Sequence, residues 1–223
     1  MWSSPARIGA ALALAVVLTS CGDGGGGGSE EPAGLTAAEA CGGFAGQADA
    51  AAALKAVLGG ARFEDDLSRR DWALSRLRDD AAAPWAASYR PQPVRYCGLR
   101  STEGDPKDLR IEVGAVGKGP YLGPELATSV TAYASGLEAF SSSGIGRVYF
   151  SCRPEATAHA IVVGTTVRGP ADAPDTDLGR RTRLITLANA AAQDVAAELG
   201  CADTGLVEGV PATRRPEFTV PTD

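Results

Sequence analysis

A single histidine serves this whole chain of 223 residues, and that shortage excludes more chemistry than any motif supplies. Histidine is the usual general base near neutral pH and the commonest metal ligand, and both tasks need partner groups. His159 has no second histidine with which to share an ion. No HExxH, GxSxG, SxxK or GK[ST] sequence occurs, so the zinc-hydrolase, serine-elbow and phosphate-loop readings lack their carriers. Gly144-Ile145-Gly146 lacks the rest of any dinucleotide fingerprint. Lysine is confined to Lys55, Lys107 and Lys118, and the formal charge is −6. An acidic chain argues against nucleic acid as a partner and against a broad basic face for anionic lipid. The absence of any CxxC pair disfavours zinc ribbons and thioredoxin-like redox chemistry.

What is present begins at the amino terminus. Ile8 to Leu18 is uncharged and apolar, of signal-peptide length and too short to span a bilayer permanently. The segment before it carries Arg7 but no Arg-Arg pair, which favours general secretion over the twin-arginine route. Leu18-Thr19-Ser20-Cys21 follows and resembles the lipobox of bacterial lipoproteins. That resemblance implies cleavage ahead of Cys21, a diacylglyceryl group on its sulfur, and residence on the extracytoplasmic face of the cell membrane. Two acyl chains anchor stably where one does not, at roughly 0.8 kcal/mol per buried methylene. The alternative is an ordinary secreted protein with Cys21 incidental. Gly22 to Gly34 is a polyglycine and acidic tract. It behaves as a flexible tether with a reach of about 20 Å. The expected organisation is a signal peptide over residues 1–20, lipidated cysteine and tether over 21–34, one domain over 35–210, and a loose tail over 211–223.

Five cysteines are encoded. With Cys21 assigned to lipid, Cys41, Cys97, Cys152 and Cys201 remain, and an even set in an oxidising compartment reads as disulfides. Three connectivities are open. The favoured one joins Cys41 to Cys97 and Cys152 to Cys201, stapling the opening helix to the first strand and the RVYFSC strand to the last helix.

Thr36-Ala37-Ala38-Glu39 has the form of a capping box, with the Thr36 hydroxyl accepting from the Glu39 amide and the Glu39 carboxylate returning the bond. It opens a helical stretch through Phe44, interrupted near Gly42-Gly43-Gly46. Helix resumes over Ala48–Leu58 and stops at Gly59-Gly60. A second amphipathic helix is expected over Phe63–Ala83, ended by Pro84. The period then changes. Val94–Leu99, Leu109–Ala115, Arg147–Cys152 and Ala158–Val167 read as four strands. Residues 121–144 carry mixed signals. Leu184, Leu187, Ala188, Ala191, Val195 and Leu199 form one apolar helical stripe, with Asp177 as N-cap and Gly200 as stop. The expected fold class is α+β: N-terminal helices, a central antiparallel sheet of about four strands, and a long C-terminal helix packed on one face.

VYFSC at Val148–Cys152, VAAELGC at Val195–Cys201, Cys41-Gly42-Gly43 and AVLGGARF at Ala56–Phe63 resemble, in patches, a group of uncharacterised secreted proteins and lipoproteins from actinobacteria. The resemblance implies a compact α/β sandwich with paired cysteines and no established activity.

Individual polar residues mostly have plain structural readings. His159 is in phase with Ile161, Val163 and Val167, placing it inward on a strand or at its edge. Asp172, Asp175 and Asp177 lack EF-hand spacing and a terminal glutamate, so capping and a solvated loop explain them. Arg180, Arg181 and Arg183 oppose the dipole at a helix start and are expected to pair with those aspartates; contact with anionic wall polymer or lipid is the sharper alternative. Trp72, Trp85, Tyr89 and Tyr96 suit core packing, with a ligand groove as the alternative. Glu64-Asp65-Asp66 and Asp79-Asp80, read on helices, point apart and form solvated faces. No catalytic residue, metal site or cofactor is therefore assigned, and the chain is not read as an enzyme. The leading expectation is a membrane-tethered binding or accessory module for an envelope protein or a small ligand. An accessory to a membrane sensor is the alternative, and a hydrolytic enzyme the third; convergent polar groups in a deep pocket would revive it.

Overall fold

The structure is a computed structural model that describes residues 33–82, 84–85, 91–117, 121–154, 159–170 and 177–214. The expectations for Cys21, the leader, the tether through residue 32, Tyr89, Asp172 and Asp175 lie outside those residues.

Among the described residues, eight strands form one antiparallel sheet in the order β1-β2-β3-β7-β6-β5-β4-β8. They are β1 (Phe63–Asp66), β2 (Val94–Ser101), β3 (Asp108–Val116), β4 (Thr131–Tyr133), β5 (Glu138–Ser141), β6 (Ile145–Cys152), β7 (Ile161–Arg168) and β8 (Thr213–Arg214). The helices are α1 (Ala48–Leu58), α2 (Arg70–Ala82), α3 (Pro124–Ala127) and α4 (Leu178–Leu199), with a 3₁₀ turn at Ala40–Gly42. The mixed class and the long last helix match expectation, but about four strands was an undercount. The four expected strands are β2, β3, β7 and β6, the contiguous middle of the sheet. The flanking strands are two to four residues long, too short to display a period of two.

Two further corrections follow from the sheet. Phe63–Asp66 is a strand, not the start of a helix; it pairs with β2, and Phe63 also bridges Leu35. The helix begins only at Arg70, and its buried stripe is Ala73, Leu74, Leu77, Asp80 and Ala81. Of the segment expected to be a loose tail, residues 215–223 lie outside the described residues, whereas Thr213–Arg214 form β8, which pairs with β4. The reason lies in α4. The Asn189 and Gln193 amides both donate to the Val207 carbonyl, at 2.7 and 2.6 Å. Asn189 also accepts from the buried Ser135 hydroxyl at 2.5 Å. These bonds hold the returning chain beside the sheet edge.

Helix α4 packs on β6 and β7, α1 packs on α4, and α2 lies over β2 and β3. Alternation along the central strands turns Ile111, Val113, Val148, Phe150, Val163 and Val167 toward these helices, all essentially buried. Asp177 caps α4 by accepting the Arg180 amide at 2.9 Å, and Gly200 ends it in the left-handed region at φ 68°. Cys201 follows directly and is bonded to Cys152, as Cys41 is to Cys97, with Cα separations of 5.0 and 5.9 Å. The Thr36 box forms differently from expectation. Glu39 accepts both the Thr36 amide and its hydroxyl at 2.8 Å, while the Glu39 amide goes to the Thr36 carbonyl.

The opposite face of the sheet is divided. Over β4 to β7, residues 121–130 cover a second small core of Leu122, Ala132, Phe140 and Tyr149. Tyr121 stacks on Tyr149 at 4.3 Å, and Glu138 accepts the amides of Tyr121 and Leu122 at 3.0 Å. Over β1 to β3 and β7 the face is open and charged.

Candidate functional site

A cavity of mixed polar and apolar lining opens at one end of the sheet. There β3 runs out at Val116 and Gly117, β6 contributes Ser151, β7 begins near His159 to Val162, and α2 ends at Asp80, Pro84 and Trp85. Its volume is about 500 Å³, within the range of small-molecule sites. Each wall has a local cause. Pro84 follows the last turn of α2, since proline cannot continue a helix. The Trp85 indole N–H then donates to the Asp80 carbonyl at 2.8 Å, which turns the ring back along the helix end. Ser151 lies between the buried Phe150 and Cys152, so strand alternation sends its hydroxyl to the other side. His159 stands two residues ahead of β7, half-buried at the strand's edge.

Asp80 is the residue that the sequence reading missed. Expected on a solvated face, its side chain is only 7% exposed. Arg76, one turn earlier, lies 3.5 Å from the carboxylate. The signal was available: Asp80 falls seven residues after Ala73 and three after Leu77, in phase with the buried stripe of α2. The fold thus brings Asp80 and the Trp85 indole to one cavity with Ser151 and His159 from two distant parts of the chain. Ser151 sits within a paired strand rather than on the strand-to-helix turn that exposes a serine nucleophile.

A second polar group is internal. Arg70 of α2 donates to the Tyr96 hydroxyl at 2.9 Å and to Glu198 at 2.8 Å. Tyr96 donates in turn to Asp194 at 2.7 Å. Burial raises the Asp194 carboxyl above its usual range, against the lowering effect of the bonds from Tyr96 and Arg70. Burial, reinforced by the Asp194 charge, also raises Tyr96. Burial works against the Arg70 charge, but its partners outweigh that and raise its pKa. This set joins α2, β2 and α4. Because folded Asp194 holds its proton more tightly than the unfolded chain does, its contribution to stability falls as pH rises from about 4 upward. Asp194→Asn is expected to flatten that slope in urea midpoints measured against pH; an unchanged slope assigns it to another group.

The remaining expected residues disperse. Asp65 accepts the Cys41 amide at 2.7 Å; it stands close to Cys41 and Cys97, but their sulfurs are spent in the disulfide. On the strand that replaces the expected helix, Asp66 pairs with Arg95 at 3.1 Å. The open sheet face is compensated likewise, Arg168 with Glu112 at 2.8 Å and Arg100 with Asp108 at 3.8 Å. Arg180 is buried and donates to the carbonyls of Ser143 and Pro170; two of the aspartates expected to meet it, Asp172 and Asp175, lie outside the described residues. Arg181 donates to Thr131 at 3.2 Å, and Arg183 is exposed. The described aromatic residues of the expected set do not share one surface. Tyr96 is buried, Trp85 lines the cavity, and Trp72 is exposed on α2. Among the described residues, no helix is long and apolar enough to cross a membrane. No family model, curated protein or solved structure matches this chain.

Proposed function

We propose that this protein is a membrane-anchored extracytoplasmic binding module, held through an acylated Cys21, whose cavity at the end of the sheet takes a small ligand. The observation that carries the ligand reading is the lining of that cavity: an indole and aliphatic side chains with three polar groups, Asp80, Ser151 and His159. Such a balance suits a compact molecule with an apolar body and a polar end, because apolar walls supply affinity and a few polar groups set orientation. The anchor reading is supported by Leu18–Cys21 and the glycine tract after it. Acting as an accessory to a membrane sensor is compatible with the same site, with the ligand as the signal.

The test is native mass spectrometry of the protein released from intact envelopes, beside its Trp85→Ala and His159→Ala forms. A bound small molecule present in the wild type and lost from both variants is expected. Retention in both places the ligand elsewhere, and an empty wild-type protein overturns the cavity reading. Detergent phase partition of Cys21→Ser tests the anchor separately, with loss from the detergent phase expected.

A second reading, hydrolysis, is favoured by the shared lining of Asp80, Ser151 and His159. Labelling of Ser151 by a fluorophosphonate, lost in Ser151→Ala, would establish it.

A further inference from the structure

A different groove lies between the exposed side of α2 and the start of β2. It is lined by Arg69, Trp72, Arg76, Gln92, Pro93 and Arg95 and holds about 350 Å³. In a chain of formal charge −6, this lining contains three guanidinium groups and no carboxylate. Arg69, directly ahead of α2, and Trp72 and Arg76 within it recur at helical spacing, so they rise along one side of the helix. Trp72 is 49% exposed, among the largest apolar side chains that the described surface shows. The Arg69 guanidinium lies 4.6 Å from the centre of its ring.

The two other guanidinium groups are positioned by carboxylates that do not line the groove. Arg76 is held by Asp80, and Arg95 by Asp66. Arg69 forms no ion pair among the described residues. The charged groups lining the groove are therefore all cationic donors, with the Gln92 amide the one lining side chain able to accept. A lining dominated by charged donors selects an anionic acceptor, and planar guanidinium forks match tetrahedral oxyanions bidentately. The indole beside them suits a flat or apolar group attached to that anion.

We propose that this groove binds a phosphoryl group borne on an aromatic or apolar moiety, with Arg69 as the principal charge and Trp72 as the wall against which the moiety stacks. The proposal is independent of the cavity at the end of the sheet, which has a different lining. Phosphoryl groups of this kind occur on soluble metabolites and on lipid headgroups, and the same chemistry recognises both.

Calorimetric titration of the purified full chain with phenyl phosphate, inorganic phosphate and phenol tests it. Saturable binding is expected for phenyl phosphate, weaker binding for inorganic phosphate, and none for phenol. Arg69→Ala and Trp72→Ala are each expected to weaken phenyl phosphate by about tenfold. Arg183→Ala, an exposed arginine that does not line the groove, is expected to leave that affinity unchanged. Both groove residues are exposed, so thermal melting should match the wild type and exclude misfolding as the cause. Flotation with phosphatidylglycerol but not phosphatidylcholine vesicles, lost in Arg69→Ala, would assign the group to a lipid headgroup. Flotation with neither, beside binding of phenyl phosphate, would assign it to a soluble ligand. Equal binding of phenol and phenyl phosphate, or full affinity in both groove variants, overturns the proposal.

Discussion

Gly146→Ala is expected to destabilise the fold by at least about 3 kcal/mol, the upper end of what overpacking costs. On β6, Gly146 meets the main chain of α4: a methyl group there would overlap the Leu184 carbonyl and press on the Ile185 amide. Both neighbours are backbone, and neither can rotate away as a side chain can. Helix α4 would have to lift from β6, the strand it contacts most extensively. It would also loosen Leu184, Leu187 and Ala188, which are fully buried. Chemical denaturation should show the midpoint falling with the slope kept. Gly144→Ala is the control, because nothing lies within 4 Å of a methyl group at that position. It should stay within about 0.5 kcal/mol of the wild type. Equal effects from the two would mean that α4 does not rest on this strand as closely as described.

Removal of the Cys152–Cys201 disulfide, as the double alanine variant, is expected to destabilise by about 4 kcal/mol on the loop-entropy account. The bond closes a loop over a sequence separation of 49 residues, and that of Cys41–Cys97 spans 56. Loop entropy alone makes the two losses nearly equal, since the dependence on length is logarithmic. Structure separates them by place. Cys152–Cys201 ties the end of β6 to the end of α4, so its loss frees the C-terminal run that leads to β8. Cys41–Cys97 ties the N-terminal turn to β2, beside the Arg70 and Tyr96 pair. Hydrogen exchange on the two double variants should therefore show increased opening in different halves of the molecule. Unchanged stability in either would indicate that the denatured chain retains those contacts without the covalent bond.

Much of the architecture was legible because its carriers are local. Strand alternation in β3, the stripe of α4 from Leu184 to Leu199, the Asp177 cap and the Gly200 stop each need only a few neighbouring residues. The even set of four cysteines beyond Cys21 allowed three pairings, and the favoured one is present because it joins elements that each have their own reason to meet. The short strands were illegible for the converse reason. Thr131–Tyr133 and Thr213–Arg214 are strands because β5 and α4's amides hold them in line, which no window of their own sequence records. Gly146 shows the same limit at one residue. In the sequence it belonged to an incomplete glycine motif, whereas in the fold it is the point where a helix backbone meets a strand.

Asp80 marks the boundary between the two kinds of knowledge. Its phase with Ala73 and Leu77 was sufficient to place it inward, and only its charge argued otherwise; Arg76 offsets that charge one turn away. The convergence of Asp80 with Ser151 and His159 had no such signal. Asp80 precedes Ser151 and His159 by 71 and 79 residues, and only the tertiary fold brings it to one cavity with them. The sequence by itself determined the acidic balance, the even cysteine set, the central strands and the last helix, and it carries the proposal of an anchor at Cys21. Tertiary structure alone decided the eight-stranded order, the cavity and the arginine groove, because contacts between distant segments depend on which surfaces are buried together rather than on any local period.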